Sequence, residues 1–252
     1  MAQHDWPGYL AAFHAERAGI TEDVLEHAVD AAGATPYDWA ARAVLDASAD
    51  GDLVVDLACG SAPMAGRLPG RRYLGLDLST AELFAARAAG AQVGRADAAR
   101  LPVRTGSADA VVMSMALMLV PLGRTLGEVA RVLRPGGAFV ATVPHNRPMP
   151  RTDWLRYARL CLSLRHAGLS YPNGAALRRP SERFAAAGLR LDDDHQVGFV
   201  CDIADERIAE QLLASLYLPE VTPERLAAGR RVVMRWVGST LTTPLRRLVA
   251  RA

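Results

Sequence analysis

The sequence predicts an α/β protein with a doubly wound, mostly parallel sheet of seven strands. Two observations carry that reading. Short apolar runs alternate with helical segments through the middle of the chain, the pattern of βαβ units. Three of those runs end on an aspartate, Asp56, Asp77 and Asp97, at near-equal spacing. Right-handed crossovers bring the carboxyl ends of parallel strands to one edge, so the three carboxylates are expected to line one crevice.

Residues 1–50 read as a helical N-terminal cap. Helices are expected over 7–17 and 21–27, the second opened by Thr21 with Val24, Leu25 and Ala28 as an amphipathic start. Thr35 as N-cap and Pro36 at the first position open a third. The core follows over 51–252. Its first strand, 53–55, drives into Asp56 and a turn of small residues, Ala58-Cys59-Gly60-Ser61-Ala62, where backbone can approach a ligand closely. The second strand spans 72–77 and the third 91–97, the latter followed by Ala98-Ala99-Arg100-Leu101-Pro102. The fourth spans 108–114. Leu133-Arg134-Pro135-Gly136-Gly137 ends a helix and turns into the fifth, through Val140. An insertion at about 145–173 carries a helix over 151–166. Beyond it come a helix ending near Gly188, a strand near 189–200, helices near 204–217 and 222–237, and a last strand at 244–250. Cap and insertion are expected to overhang the carboxyl edge as a lid that excludes water.

These ordered blocks resemble a class I S-adenosylmethionine-dependent methyltransferase of the small-molecule, type 11-like kind, with its Rossmann-like fold, from about residue 53 to residue 142. The resemblance implies S-adenosylmethionine as cofactor and a role for each block. Asp56, Ala58, Cys59 and Gly60 wrap its methionine part. Asp77 holds the ribose hydroxyls, with Leu78 beside the adenine. Asp97 meets the adenine amino group and Ala98 offers its backbone N–H. Ser114 and Met115 begin the segment that floors the cofactor. Two departures stand out. Ala58 and Ala62 replace the family's usual glycines, which is tolerable if φ stays negative there. The usual histidine or aromatic after the fourth strand is replaced by the apolar Met115-Ala116-Leu117-Met118-Leu119.

A dinucleotide-binding dehydrogenase is the rival nucleotide reading. It needs G-x-G-x-x-G with pyrophosphate over a helix N-terminus. Only Gly60 of that pattern is present, and Asp56 would repel phosphate. A cofactor bearing an ammonium and a sulfonium suits an acidic crevice instead.

Bulk properties narrow the partners. At 252 residues and 50% hydrophobic, the chain can bury one large core. A net charge of +2 offers no electrostatic case for nucleic acid. All basic residues are arginine. With no run of about 18 apolar residues and no signal-like start, neither a membrane partner nor export is expected, and a cytoplasmic location is. Cys59, Cys161 and Cys201 lack metal or disulfide spacing. Asp192-Asp193-Asp194-His195 resembles a metal cluster, but consecutive strand residues alternate sides, so it reads as a solvated charge run and no metal is expected.

The chemistry asks little of the protein. Methyl transfer is an in-line displacement, for which proximity and alignment supply most of the acceleration. A hydroxyl acceptor also wants a base, and histidine is the default. His145, after the fifth strand beside Asn146 and Arg147, is the first candidate, and His14 the second. Tyr9, Tyr37, Trp39 and Trp154 read as packing residues before substrate platforms. The expected activity is methyl transfer to a hydroxyl of a small, sugar-like or secondary-metabolite acceptor. An N-methyltransferase and a non-catalytic cofactor-binding scaffold are the alternatives. The oligomeric state is left open.

Overall fold

A computed structural model describes residues 5–166 and 171–252. The start of the cap segment, 1–4, and an internal part of the insertion, 167–170, lie outside the described residues.

The parallel strands form where expected: β2 (Leu53–Leu57), β3 (Arg72–Asp77), β4 (Val93–Arg95), β5 (Ala108–Ser114) and β6 (Leu133–Pro144). Strand β1 (Ala28–Val29) precedes them, and β7 (Arg190–Ile203) and β8 (Ser239–Arg251) complete one sheet in the order β1-β7-β8-β6-β5-β2-β3-β4. β6 pairs antiparallel with β8, β8 with β7, and β7 with β1. The seven expected strands are thus joined by an eighth of two residues, too short to show any periodicity in sequence. Chain order reverses between β2 and β5, whose parallel pairing makes this the switch point of the sheet. Ligands bind outside the carboxyl ends of strands at such a point.

Alternate residues of each central strand feed two cores. Val54, Val112 and Val140 face one side, with α3 (Pro36–Asp46), α6 (Arg151–Leu164), α8 (Glu206–Ala214) and α9 (Pro223–Val233). Val55, Val111 and Phe139 face the other, with α5 (Leu122–Val132) and α7 (Pro180–Ala186). Helix α4 (Thr80–Ala88) joins β3 to β4.

The N-terminal segment holds α1 (Trp6–Glu16) and α2 (Ile20–Glu26) ahead of α3. Thr35 caps α3 as expected, in a capping box closed by Asp38. Thr21 does not open α2. Gly19, at φ 80°, is the N-cap, and Thr21 is the second residue of the helix, lining a cavity.

Candidate functional site

The loop between β2 and β3 is tight. Cys59 N–H donates to the Leu76 carbonyl at 3.2 Å and Ala62 N–H to that of Cys59 at 2.8 Å. That curvature goes with φ 52° at Ala58 and φ 65° at Ala62, and Met115, just after β5, has φ 57°. The condition under which alanine would be tolerable at these two places, a negative φ, is therefore not met. The left-handed region costs an L-residue roughly 1–2 kcal/mol, and three such residues meet at one edge of the sheet. Gly60 is different: at φ 55°, an added Cβ would lie 1.9 Å from Oε1 of Glu22.

Asp77 organises this edge. Its Oδ2 accepts from Gly60 N–H at 2.9 Å and its Oδ1 from Ser79 N–H at 2.8 Å. Each oxygen keeps a lone pair for a ligand. Leu78 beside it is 59% exposed, an apolar surface left open next to an acid. Asp97 is exposed and uses only Oδ1 internally, accepting from Ala99 N–H at 2.8 Å. Ala98 is partly buried against the core below. Ser114 Oγ is buried with no hydrogen-bond partner among the described residues. Asp56 is buried, accepts from the Tyr73 hydroxyl at 2.7 Å, and is pushed up to about 7 by burial, with Asp77 and Glu22 adding to the effect. Cys59 is buried beside it, its thiol pushed up by burial. An exposed apolar side chain next to an acid, a glycine loop and a buried, unpartnered hydroxyl fit a nucleoside carrying a cationic amino-acid tail.

Two acids invisible as site residues in the sequence join from outside the strands. Glu22, on α2, accepts from Ser61 N–H at 3.3 Å, and burial together with Glu82 pushes it up to about 7. Glu82, on α4 and 1% exposed, accepts from Gly19 N–H at 3.0 Å and from His14 Nδ1 at 2.8 Å. His14 Nε2 lies 3.2 Å from the Tyr217 hydroxyl. Burial lowers the affinity of His14 for a proton, but the Glu82 hydrogen bond and the charges of Glu82, Asp77 and Glu22 outweigh it and raise the pKa. With both ring nitrogens engaged and the charged form favoured, His14 ties α1 to α4.

Next to this crevice lies a cavity of about 790 Å³. Met115 borders it, as do Val24, Leu25, Met118, Leu160 and Trp236, so most of its wall is apolar. The lining holds one imidazole, that of His145, and no carboxylate among the described residues. His145 follows β6, with Nδ1 3.0 Å from the Arg147 carbonyl. His14 does not line this cavity, so the two candidate bases are not brought together. Tyr171 and Tyr217 line it with their hydroxyls raised well above their ordinary range by burial. Asn173, also unforeseen, donates through Nδ2 to the carbonyls of Leu117 at 3.1 Å and Val120 at 2.6 Å, tying the end of the insertion to the segment after β5. Of the aromatic residues, Tyr37 and Trp39 are core, the latter under the Arg247 guanidinium; Tyr9 accepts from Leu218 N–H; Trp154 borders the cavity.

The acids of 192–194 do not converge. Asp193 and Asp194 pair with Arg247 and Arg246 of β8, and Asp192 with Arg190 and Arg251, so the run is an ion-pair ladder along β7 and β8. No group of His, Cys, Asp and Glu able to hold a metal occurs among the described residues.

Residues 55–141 match the family model described as "Methyltransferase domain". An uncharacterized chloroplastic methyltransferase of Arabidopsis thaliana is 34% identical over 125 residues, 42% of this chain and 35% of that protein. A demethylmenaquinone methyltransferase of Beutenbergia cavernae is 35% identical over 133 residues, 50% of this chain and 52% of that protein. The matches thus span about a third and about half of these curated relatives. Among solved structures, a chain from the complex of the Haloferax volcanii Trm112 methyltransferase activator with its putative methyltransferase has a TM-score of 0.56 at 22% identity, covering 100% of this chain and 99% of that one. The [4+2]-cyclase SpnF has a TM-score of 0.55 at 21% identity, covering 85% and 80%. Both likenesses concern the fold.

Proposed function

Residues 55–141 belong to the methyltransferase domain family, class I and S-adenosylmethionine-dependent, and from that premise we propose that this protein methylates a small molecule with an apolar body. The carrying observation is that the large, mostly apolar cavity reaches Met115, just beyond the carboxyl end of β5, the sheet edge at which Asp56 and Asp77 also lie. When bound, S-adenosylmethionine supplies a methyl group already activated on a positively charged sulfur. Everything else falls to the chain. Asp77 binds the ribose hydroxyls through its remaining lone pairs, Asp97 and Ala98 take the adenine edge, Leu78 packs on the adenine face, and residues 56–60 with Ser114 enclose the amino-acid tail.

The N-terminal helices act as a cap and the 145–173 insertion as a lid, together excluding water from the reacting atoms. The apolar lining supports an acceptor that buries hydrocarbon or aromatic surface, rather than the sugar-like one expected from sequence. The mostly apolar wall gives a polyhydroxylated ring fewer hydrogen-bond partners than water does, and each hydroxyl left unpaired costs about 1–3 kcal/mol. For a hydroxyl acceptor, His145 takes the proton, because the lining offers no carboxylate and its buried tyrosines hold their protons.

Transfer of radiolabelled methyl from S-adenosylmethionine tests this. Label is expected to move to apolar phenols or long-chain alcohols and not to free sugars. His145→Ala is expected to slow transfer to the hydroxyl by about 10²–10⁴-fold with unchanged cofactor affinity. Near-normal turnover in that variant would reject His145 as the base.

A further inference from the structure

Helix α6 carries two opposed faces. Asp153, Leu160 and Leu164 are buried, spaced to fall on one side. Gly229 of α9 permits the close approach there, since an added Cβ would lie 2.7 Å from Leu164 Cδ2. The opposite side is unusual. Leu162 is 78% exposed and Leu155 49%, with Arg151, Arg159 and Arg165 exposed around them. None of these three arginines pairs with an acid among the described residues, and the helix's only acid, Asp153, is buried and bonded to Arg156 and to Thr242 N–H. Trp154, 59% exposed, stands between this face and the cavity, which it also lines. Asn146, Gly174 and Arg178, all exposed lining residues, mark the same mouth.

We propose that α6 is an interfacial helix that docks the cavity mouth onto an anionic lipid surface, from which the acceptor is drawn. Exposed leucines and a tryptophan beside unpaired arginines are the pattern of a helix lying in the plane of the headgroups. The arginines supply charge complementarity to anionic lipid, and the leucines enter the acyl boundary. A second copy of the chain would bring this arginine-rich face against itself. No helix among the described residues is long and apolar enough to cross a membrane, which leaves this in-plane mode untouched. The expectation of no membrane partner rested on the lack of a spanning run and of a signal-like start, neither of which bears on an in-plane helix. The choice of a lipid-phase acceptor rests on the cavity being the acceptor site; the docking itself does not.

Co-sedimentation with large unilamellar vesicles separates the two. The protein is expected to bind phosphatidylcholine vesicles containing a quarter phosphatidylglycerol, and to bind pure phosphatidylcholine far more weakly. Arg151→Gln/Arg159→Gln is expected to reduce partitioning to the anionic vesicles roughly tenfold or more, as is Leu155→Ser/Leu162→Ser. These positions lie outside the cavity wall, so methylation of a water-soluble acceptor is expected to be unchanged in both variants, and thermal melts check their folding. Equal binding to both vesicle types, or no loss in either variant, would overturn the proposal. Concentration-dependent self-association abolished by Leu155→Ser/Leu162→Ser would overturn it in favour of a second copy. Vesicle binding without any methyl transfer would leave the docking standing and remove the function proposed above.

Discussion

Two alanines in the β2–β3 loop bend against their own stereochemistry. Ala58 and Ala62 hold positive φ because the carbonyl contacts of Cys59 close the loop more tightly than an alanine methyl prefers. Replacing either with glycine is expected to stabilise the protein by about 0.5–1 kcal/mol in urea titrations, the relieved strain less the entropy of the freer chain. Unchanged or lowered stability would mean that the methyl groups pack too well for strain to decide. Glu22 gives a second prediction. Its pKa rises from 4.5 to about 7 on folding, so its ionisation opposes the folded state. The penalty is absent below about pH 4.5 and grows as pH rises towards 7. Glu22→Gln is therefore expected to be the more stable form at pH 8 and indistinguishable at pH 4, read by denaturation at both. At this scale the strand-ending acids and the Thr35 cap were legible, because each is defined by immediate neighbours. Glu22, Glu82 and Asn173 were not. Their roles arise from contacts with segments distant in the chain, and nothing local marks them.

Elements show the same division. Strands β3 and β5 occupy the expected residues, since apolar runs bounded by turns and acids define their ends. The two-residue β1 had no pattern to read, and the acids of β7 gained arginine partners only once β8 paired with it. A clamp on α5 makes a testable case. Arg131 donates to the carbonyls of Leu101 and Val103 and to Glu128, while Glu128 accepts from Leu101 N–H. Together they hold the segment that follows Asp97. Arg131→Ala is expected to loosen that segment and weaken adenosine-end binding several-fold while leaving the rate with saturating cofactor near normal. Fluorescence or calorimetric titration with S-adenosylhomocysteine checks it; unchanged affinity would show that the segment holds its shape unaided. The Arg131 hydrogen bond lowers Glu128 from 4.5 to about 2, so the pair's support is present above pH 4.5 and is lost as pH falls through 2.

For the whole molecule, the parallel half of the sheet followed from sequence, because strand alternation and crossover handedness constrain it. The cavity did not. Its wall is drawn from α2, the segment after β5, the 145–173 insertion, α8 and β8, an assembly that no single stretch of sequence announces. The cavity reaches Met115, just beyond the carboxyl end of β5, the sheet edge at which Asp56 and Asp77 also lie. The account depends first on that acid-lined edge holding the cofactor through Asp77. Calorimetric titration of S-adenosylhomocysteine into the native protein and into Asp77→Ala tests that most directly. A loss of about 1.5–3 kcal/mol in binding free energy is predicted, the range for hydrogen bonds to a charged group, with Asp97→Ala losing less. Equal affinity in the native and Asp77→Ala proteins would contradict the account.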